Sequence, residues 1–177
     1  LLHSFTSINY VALHSVGLSE HSQKPYSEAD FVIITDFGIF CLEVKGGNVE
    51  RRNGVWTVGY LDTGNYYESS DGPFKQASRT VDPILKRLRN ADLNRANKFL
   101  IYLGVVFPHC SFLDEDTEWD QMQICDLNKI NDFESYLKVL GKYTYEHFSR
   151  LRKIQNKIIN KDDIKWASHV LRKDIVI

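Results

Sequence analysis

Cysteine is scarce in this chain: Cys41, Cys110 and Cys125 are its only three, an odd number without a Cys-x-x-Cys pair or clustered histidines. That usage excludes a disulfide-stapled scaffold, argues against a zinc centre and suits a reducing, cytoplasmic setting. Long apolar runs are missing too. No stretch approaches the ~18–20 consecutive apolar residues of a membrane span and no signal-peptide pattern is present, so a soluble protein is expected. Neither sign of charge dominates, with 22 Lys and Arg against 23 Asp and Glu. A nucleic-acid partner would therefore have to be held by a local patch and not by the net field. No Walker A pattern, internal repeat or low-complexity linker divides the sequence, and 43% hydrophobic with 25% charged residues marks a globular chain. One domain over residues 1–177 is the expectation.

What the chain does have is a cluster of charges inside a strand-forming stretch. Residues 28–47 read EADFVIITDFGIFCLEVKGG. The β-branched and aromatic runs 31–35 and 38–44 are joined by turn chemistry at Asp36, Phe37 and Gly38, which predicts an antiparallel hairpin. Side chains alternate along a strand, so Glu28 and Asp30 share one face of the first strand while Glu43 and Lys45 share one face of the second. A connection of two or four residues centred on Asp36 and Phe37 sets Asp30 opposite Glu43 and Glu28 opposite Lys45. A three-residue loop with Gly38 as a bulge would shift the pairing by one and separate the charges. In the first register the two carboxylates lie about 5 Å apart and repel each other unless a cation sits between them. Oxygen donors of this sort suit a hard octahedral ion, Mg²⁺ or Mn²⁺. A lysine two residues beyond the second acid could help deprotonate an attacking water and screen a phosphate. The chemistry that fits is metal-assisted hydrolysis of a phosphodiester. A solvated outer face carrying cross-strand ion pairs is the competing explanation of the same charges.

Beyond the hairpin, several blocks follow in order. Glu28-Ala29-Asp30-Phe31-Val32-Ile33, Gly38-Ile39-Phe40, Glu43-Val44-Lys45-Gly46-Gly47, Gly54-Val55-Trp56 and Gly72-Pro73-Phe74-Lys75-Gln76-Ala77 together resemble the nuclease-related domain (NERD) family. The likeness runs over roughly residues 9–110, and its specificity lies in the order and spacing of the blocks, since Glu-x-Lys alone is common. The resemblance implies membership of the PD-(D/E)xK phosphodiesterase superfamily, with a restriction-endonuclease-like α/β core and Mg²⁺-dependent (or Mn²⁺-dependent) cleavage of DNA. By the same resemblance Asp30 and Glu43 would be metal ligands, with the Val44 carbonyl as a third and Glu28 in support. Lys45 would be the water-activating cation, and Gln76 a helix glutamine near the site. Such domains are often joined to a helicase, so a helicase domain or subunit elsewhere is an expected partner. Family members carry an acidic residue in a first helix that has no counterpart here. Leu1, Leu2 and Phe5 read as the end of such a helix, whose start is expected upstream. The alternative is a catalytically inactive module that keeps the fold and binds nucleic acid or a partner protein.

The remaining segments supply a frame for that site. Residues 10–18 alternate as a strand with His14 at its centre, and residues 49–60 form a second hairpin around Asn53-Gly54, decorated by Arg51 and Arg52. Residues 61–71 read as an exposed polar loop or short hairpin. Asp71-Gly72-Pro73 signals a helix start with Asp71 as cap, followed by an apolar stripe of Phe74, Ala77, Val81, Ile84, Leu85 and Leu88. Pro83 predicts a kink or break there. Lys75 and Arg79, with Arg51 and Arg52, are the candidate phosphate contacts. The apolar run 99–107 predicts a strand covered on both faces, hence a central mixed sheet flanked by helices. Residues 114–120 form an acidic loop and 122–127 a short strand. Helices over about residues 131–173 pack on or extend the core, the last beginning at Asp162-Asp163.

Overall fold

The computed structural model describes residues 9–18, 28–151 and 158–172, and the predicted helix end at Leu1, Leu2 and Phe5 lies outside them. The predicted hairpin is the centre of the fold. Strand β2 (Glu28–Thr35) pairs antiparallel with β3 (Gly38–Val44) in the two-residue-turn register, Phe31 facing Leu42 and Thr35 facing Gly38. The Thr35 hydroxyl closes the turn by accepting the Gly38 N–H at 3.2 Å. Strand β1 (Tyr10–Gly17) adds antiparallel to β2, which places His14 opposite Phe31 and so on the face away from Asp30. His14 packs its ring against Phe31 and takes no part in the site.

After β3 the chain makes a separate three-stranded sheet from β4 (Asn48–Arg52), β5 (Val55–Tyr60) and β6 (Asn65–Ser69). The turn between β4 and β5 is the expected Asn53-Gly54, both residues at positive φ, as a tight primed turn requires. The segment expected to be a loop over residues 61–71 instead supplies β6. Its alternating side chains are nearly all exposed, so the burial contrast that announces a strand is missing from the sequence.

Helix α1 (Pro73–Ala91) then returns the chain to the main sheet, and the short α2 (Leu93–Ala96) leads into β7 (Ile101–Val106). Strand β7 runs parallel to β3, and β8 (Ile124–Cys125) runs parallel to β7, completing a mixed sheet of order β1-β2-β3-β7-β8. Pro83 does not break α1, contrary to expectation. Its ring removes one backbone hydrogen bond at a cost of about 3 kcal/mol, but Thr80, Ile84 and Leu88 on either side of it are buried and hold the helix to the sheet. Nor does Asp71 cap this helix. Gly72 occupies the cap without a side-chain bond, while the Asp71 carboxylate receives Lys75 and Arg79.

Both faces of the sheet are covered. Val32, Ile34, Ile39 and Cys41 pack beneath Ile84 and Leu88 of α1 and beneath Ile164, Ala167 and Leu171 of α4 (Lys161–Leu171). On the opposite face, Ile33, Phe40, Leu42 and Tyr102 meet Tyr136, Leu137 and Leu140 of α3 (Phe133–Leu151). The last helix is capped by Asn160 and not by Asp162 or Asp163. Asp163 instead closes a capping box with Asn160 and, itself buried, holds Lys98 at 2.8 Å. Leu137 is fully buried, so Leu137→Ala is expected to cost about 2–5 kcal/mol. Urea unfolding followed by both circular dichroism and tryptophan fluorescence tests this; an unchanged midpoint would show that α3 is not part of the cooperative core.

Candidate active site

Alternation along β2 and β3 puts Asp30, Val32 and Ile34 on the same face as Ile39, Cys41 and Glu43. Continuing the observed register beyond Phe31 and Leu42 sets Asp30 across from Glu43. The two acids thus meet at the end of the hairpin away from its turn. Asp30 Oδ2 accepts the Val44 N–H at 2.8 Å, which fixes that carboxylate against β3. Lys45 Nζ lies 2.5 Å from Glu43 Oε1. Glu28, opposite Lys45 in the expected register, is exposed at the start of β2, and the ammonium has turned to Glu43 instead.

A cleft of about 510 Å³ opens at this point, lined by Asp30, Val44 and Lys45 from the main sheet and by Val58, Tyr60 and Tyr67 from the small one. Glu43 is 6% exposed and sits behind the Lys45 ammonium, not on the cleft surface. Burial pushes its carboxyl above the ordinary value; Lys45 pulls it back through a hydrogen bond and charge, and Asp30 adds to the rise. For Lys45, burial alone would favour the neutral amine, but Glu43 and the Tyr67 hydroxyl outweigh it and hold the ammonium's pKa above its usual value.

The sign of the resulting pH dependence follows from linkage. Glu43 binds its proton more tightly in the folded state, so the stability it contributes is complete below the ordinary carboxylate range and is lost as pH rises through its raised value. The stability of the native protein relative to Glu43→Gln is therefore expected to be greatest near pH 4 and to shrink towards pH 7. Paired urea midpoints at the two pH values read this difference, and a gap that widens with pH would contradict it.

Elsewhere the expected site residues are engaged as follows. Gln76, on the first turns of α1, donates its amide to the Asp71 carbonyl at 2.6 Å. Thr80, one turn further along α1, donates its hydroxyl to the Ala77 carbonyl, and α1 packs over Cys41, two residues before Glu43, through Ile84 and Leu88. The four cations expected to contact phosphate are all paired. Lys75 and Arg79 hold Asp71, Arg52 holds Glu50 at 2.9 Å, and Arg51 holds Asp116 and Glu118. Arg51 is further enclosed between the Trp56 and Trp119 rings, at 5.4 and 5.0 Å from their centres. That enclosure explains the acidic loop, which folds back onto the small sheet.

Residues that escaped the sequence reading include Tyr60 and Tyr67 in the cleft and His109 behind Tyr60. His109 Nδ1 accepts the Gly47 N–H at 3.0 Å and lies 3.0 Å from the Tyr60 hydroxyl. The backbone N–H can only donate, so Nδ1 is the acceptor and the neutral ring carries its proton on Nε2. A usable signal existed for His109. It follows the C-terminal end of β7, which lies parallel to β3 and ends beside it, and ligands in parallel sheets gather at such ends.

The donor set fits a hard divalent cation in kind. Asp30 and Glu43 are oxygen donors on adjacent strands, and a cation would relieve the burial and like charge that raise Glu43. Among the described residues no group of three or more His, Cys, Asp or Glu side chains converges to hold a metal. An ion here would draw most of its ligands from water or substrate. No helix among the described residues is long and apolar enough to cross a membrane.

In comparison with known families, the family model described as nuclease-related domain matches residues 1–108. Neither the curated proteins nor the solved structures contain a match to the chain.

Proposed function

The chain belongs to the nuclease-related domain family, and from that premise we propose that it is a Mg²⁺-dependent (or Mn²⁺-dependent) phosphodiesterase acting on DNA. The observation that carries the reading is the buried Glu43 carboxylate beside Asp30, with Lys45 pressed against it at the mouth of a cleft. A structural ion pair on a solvated face would not bury its acid and push its pKa upward. Asp30, Glu43 and the Val44 carbonyl would hold the metal, which when bound supplies Lewis acidity toward a phosphoryl oxygen and lowers the pKa of water.

The protein's own groups supply the rest. The Val44 N–H orients Asp30. Lys45, once its pair with Glu43 opens, reaches the cleft as a cation that can steady the attacking water and a non-bridging phosphate oxygen. Tyr67 keeps that ammonium charged from the other side. Gln76 stands on the helix above this end of the sheet and would act on the site after releasing the Asp71 carbonyl. Any motor that accompanies cleavage, such as a helicase, would be another domain or subunit.

Cleavage of DNA, single-stranded or duplex, abolished by EDTA and restored by Mg²⁺ or Mn²⁺, is the expected result. A second reading is favoured by the closed Glu43–Lys45 pair, which leaves the acid covered. In that reading the chain is an inactive module, binding nucleic acid or a partner protein through the same cleft. DNA binding without metal-dependent cleavage would decide for it.

A further inference from the structure

The wall of the cleft opposite the carboxylates is aromatic. On the small sheet Val58 pairs with Tyr67 and Tyr60 with Asn65, so Trp56, Val58, Tyr60, Asn65 and Tyr67 share one face. Trp56 and Val58 are buried in that face, whereas Tyr60 and Tyr67 are each 45% exposed, and both line the cleft. Tyr66, 48% exposed, lines it as well. Half-exposed rings on a strand contribute little to the core, and three of them surround one opening. Lys45 reaches the same cleft next to Tyr67, its Nζ 5.7 Å from the centre of that ring.

The charges around the cleft point to the form of nucleic acid it would take. A duplex hides its bases and must be held chiefly through phosphates by free cations. Here Lys75, Arg79, Arg51 and Arg52 each face a carboxylate of this chain. An unpaired strand instead offers open base faces, which stack on tyrosine whatever the sequence.

We infer that Tyr60 and Tyr67 form a stacking platform that selects an unpaired DNA strand, laying its bases on the aromatic wall and its phosphates toward Lys45. The inference rests on the proposed nuclease reading and names its substrate class.

The test is fluorescence anisotropy on the full chain in EDTA, where nothing is cleaved. The probes are labelled oligodeoxythymidylate, an abasic strand of the same length and a duplex of the same length. The thymidylate strand is expected to bind at least about 10-fold more tightly than either of the others. Tyr60→Ala and Tyr67→Ala are each expected to weaken that binding by about 5- to 100-fold. Circular dichroism of each variant reports that it is folded, and Tyr60→Ala carries the test should Tyr67→Ala disturb Lys45. Equal or tighter binding of the duplex or the abasic strand overturns the inference. So does unchanged binding by folded Tyr60→Ala. Failure here together with metal-dependent duplex cleavage leaves the nuclease reading standing, and tyrosine-dependent strand binding without any cleavage does the reverse.

Discussion

Glu43→Ala is expected to lower the rate of DNA cleavage at saturating Mg²⁺ by about 10³-fold or more, with the far-ultraviolet circular dichroism unchanged. The size follows from position. Losing a group that merely supports a metal ligand costs about 10–100-fold, and Glu43 would itself be a ligand with no third acid among the described residues to replace it. The fold should tolerate the change because the carboxylate is a desolvated charge that burial already disfavours, and because the Lys45 it leaves behind borders the open cleft. Lys45→Ala should fall by about 10²-fold through loss of charge stabilisation near the scissile phosphate. Single-turnover cleavage of an end-labelled DNA, with substrate binding measured separately, tests both. Magnesium-dependent cleavage at the native rate by purified Glu43→Ala would refute the assignment.

The second large effect is on stability, at the residue that joins the site to the small sheet. Gly47 has φ of +82°, and a Cβ placed on it would come within 2.5 Å of the Gly59 carbonyl carbon and oxygen. Alanine in the left-handed region costs about 1–2 kcal/mol, and forcing a methyl against backbone adds about 1–3 kcal/mol. Gly47→Ala is therefore expected to destabilise the protein by about 2–5 kcal/mol. It should also displace the Gly47 N–H from His109. By contrast, Gly54→Ala meets nothing within 4 Å and should cost only the conformational term of about 1–2 kcal/mol. Urea unfolding of the two variants side by side separates clash from backbone strain, and equal losses would exclude the close approach to Gly59.

The hairpin was legible because its information is local. Asp36 and Phe37 fix a two-residue turn, and once the turn is fixed, simple alternation delivers Asp30 to Glu43. Run length likewise identified β7, and turn chemistry identified β4 and β5. Side-chain partners were less legible, since they depend on which groups the fold brings within reach. Lys45 chose Glu43 over Glu28, and Asp71 chose Lys75 and Arg79 over capping α1. The acidic loop finds its counter-charge in Arg51, 65 residues earlier than Asp116, a pairing that only the fold creates. Pro83 misled for a related reason. A helix propensity is a local cost, and packing of Ile84 and Leu88 against the sheet exceeds it. Tyr60 sits at the end of the predicted β5, but its place at the cleft depends on where the small sheet packs, and Tyr67 lies on β6, which no periodic pattern announces.

The hydrogen bond from Val44 to Asp30 bears on denticity. One oxygen of Asp30 accepts the Val44 amide at 2.8 Å, which uses one of that oxygen's lone pairs and leaves the other oxygen as the freer donor to an incoming ion. Calcium, which gathers six to eight oxygens and often chelates a carboxylate through both, would gain less from an aspartate that shares one oxygen with an amide. A small octahedral ion that binds through single oxygens and keeps its waters loses nothing. In the proposed metal site the strand's own amide would thus favour an ion that binds through single oxygens.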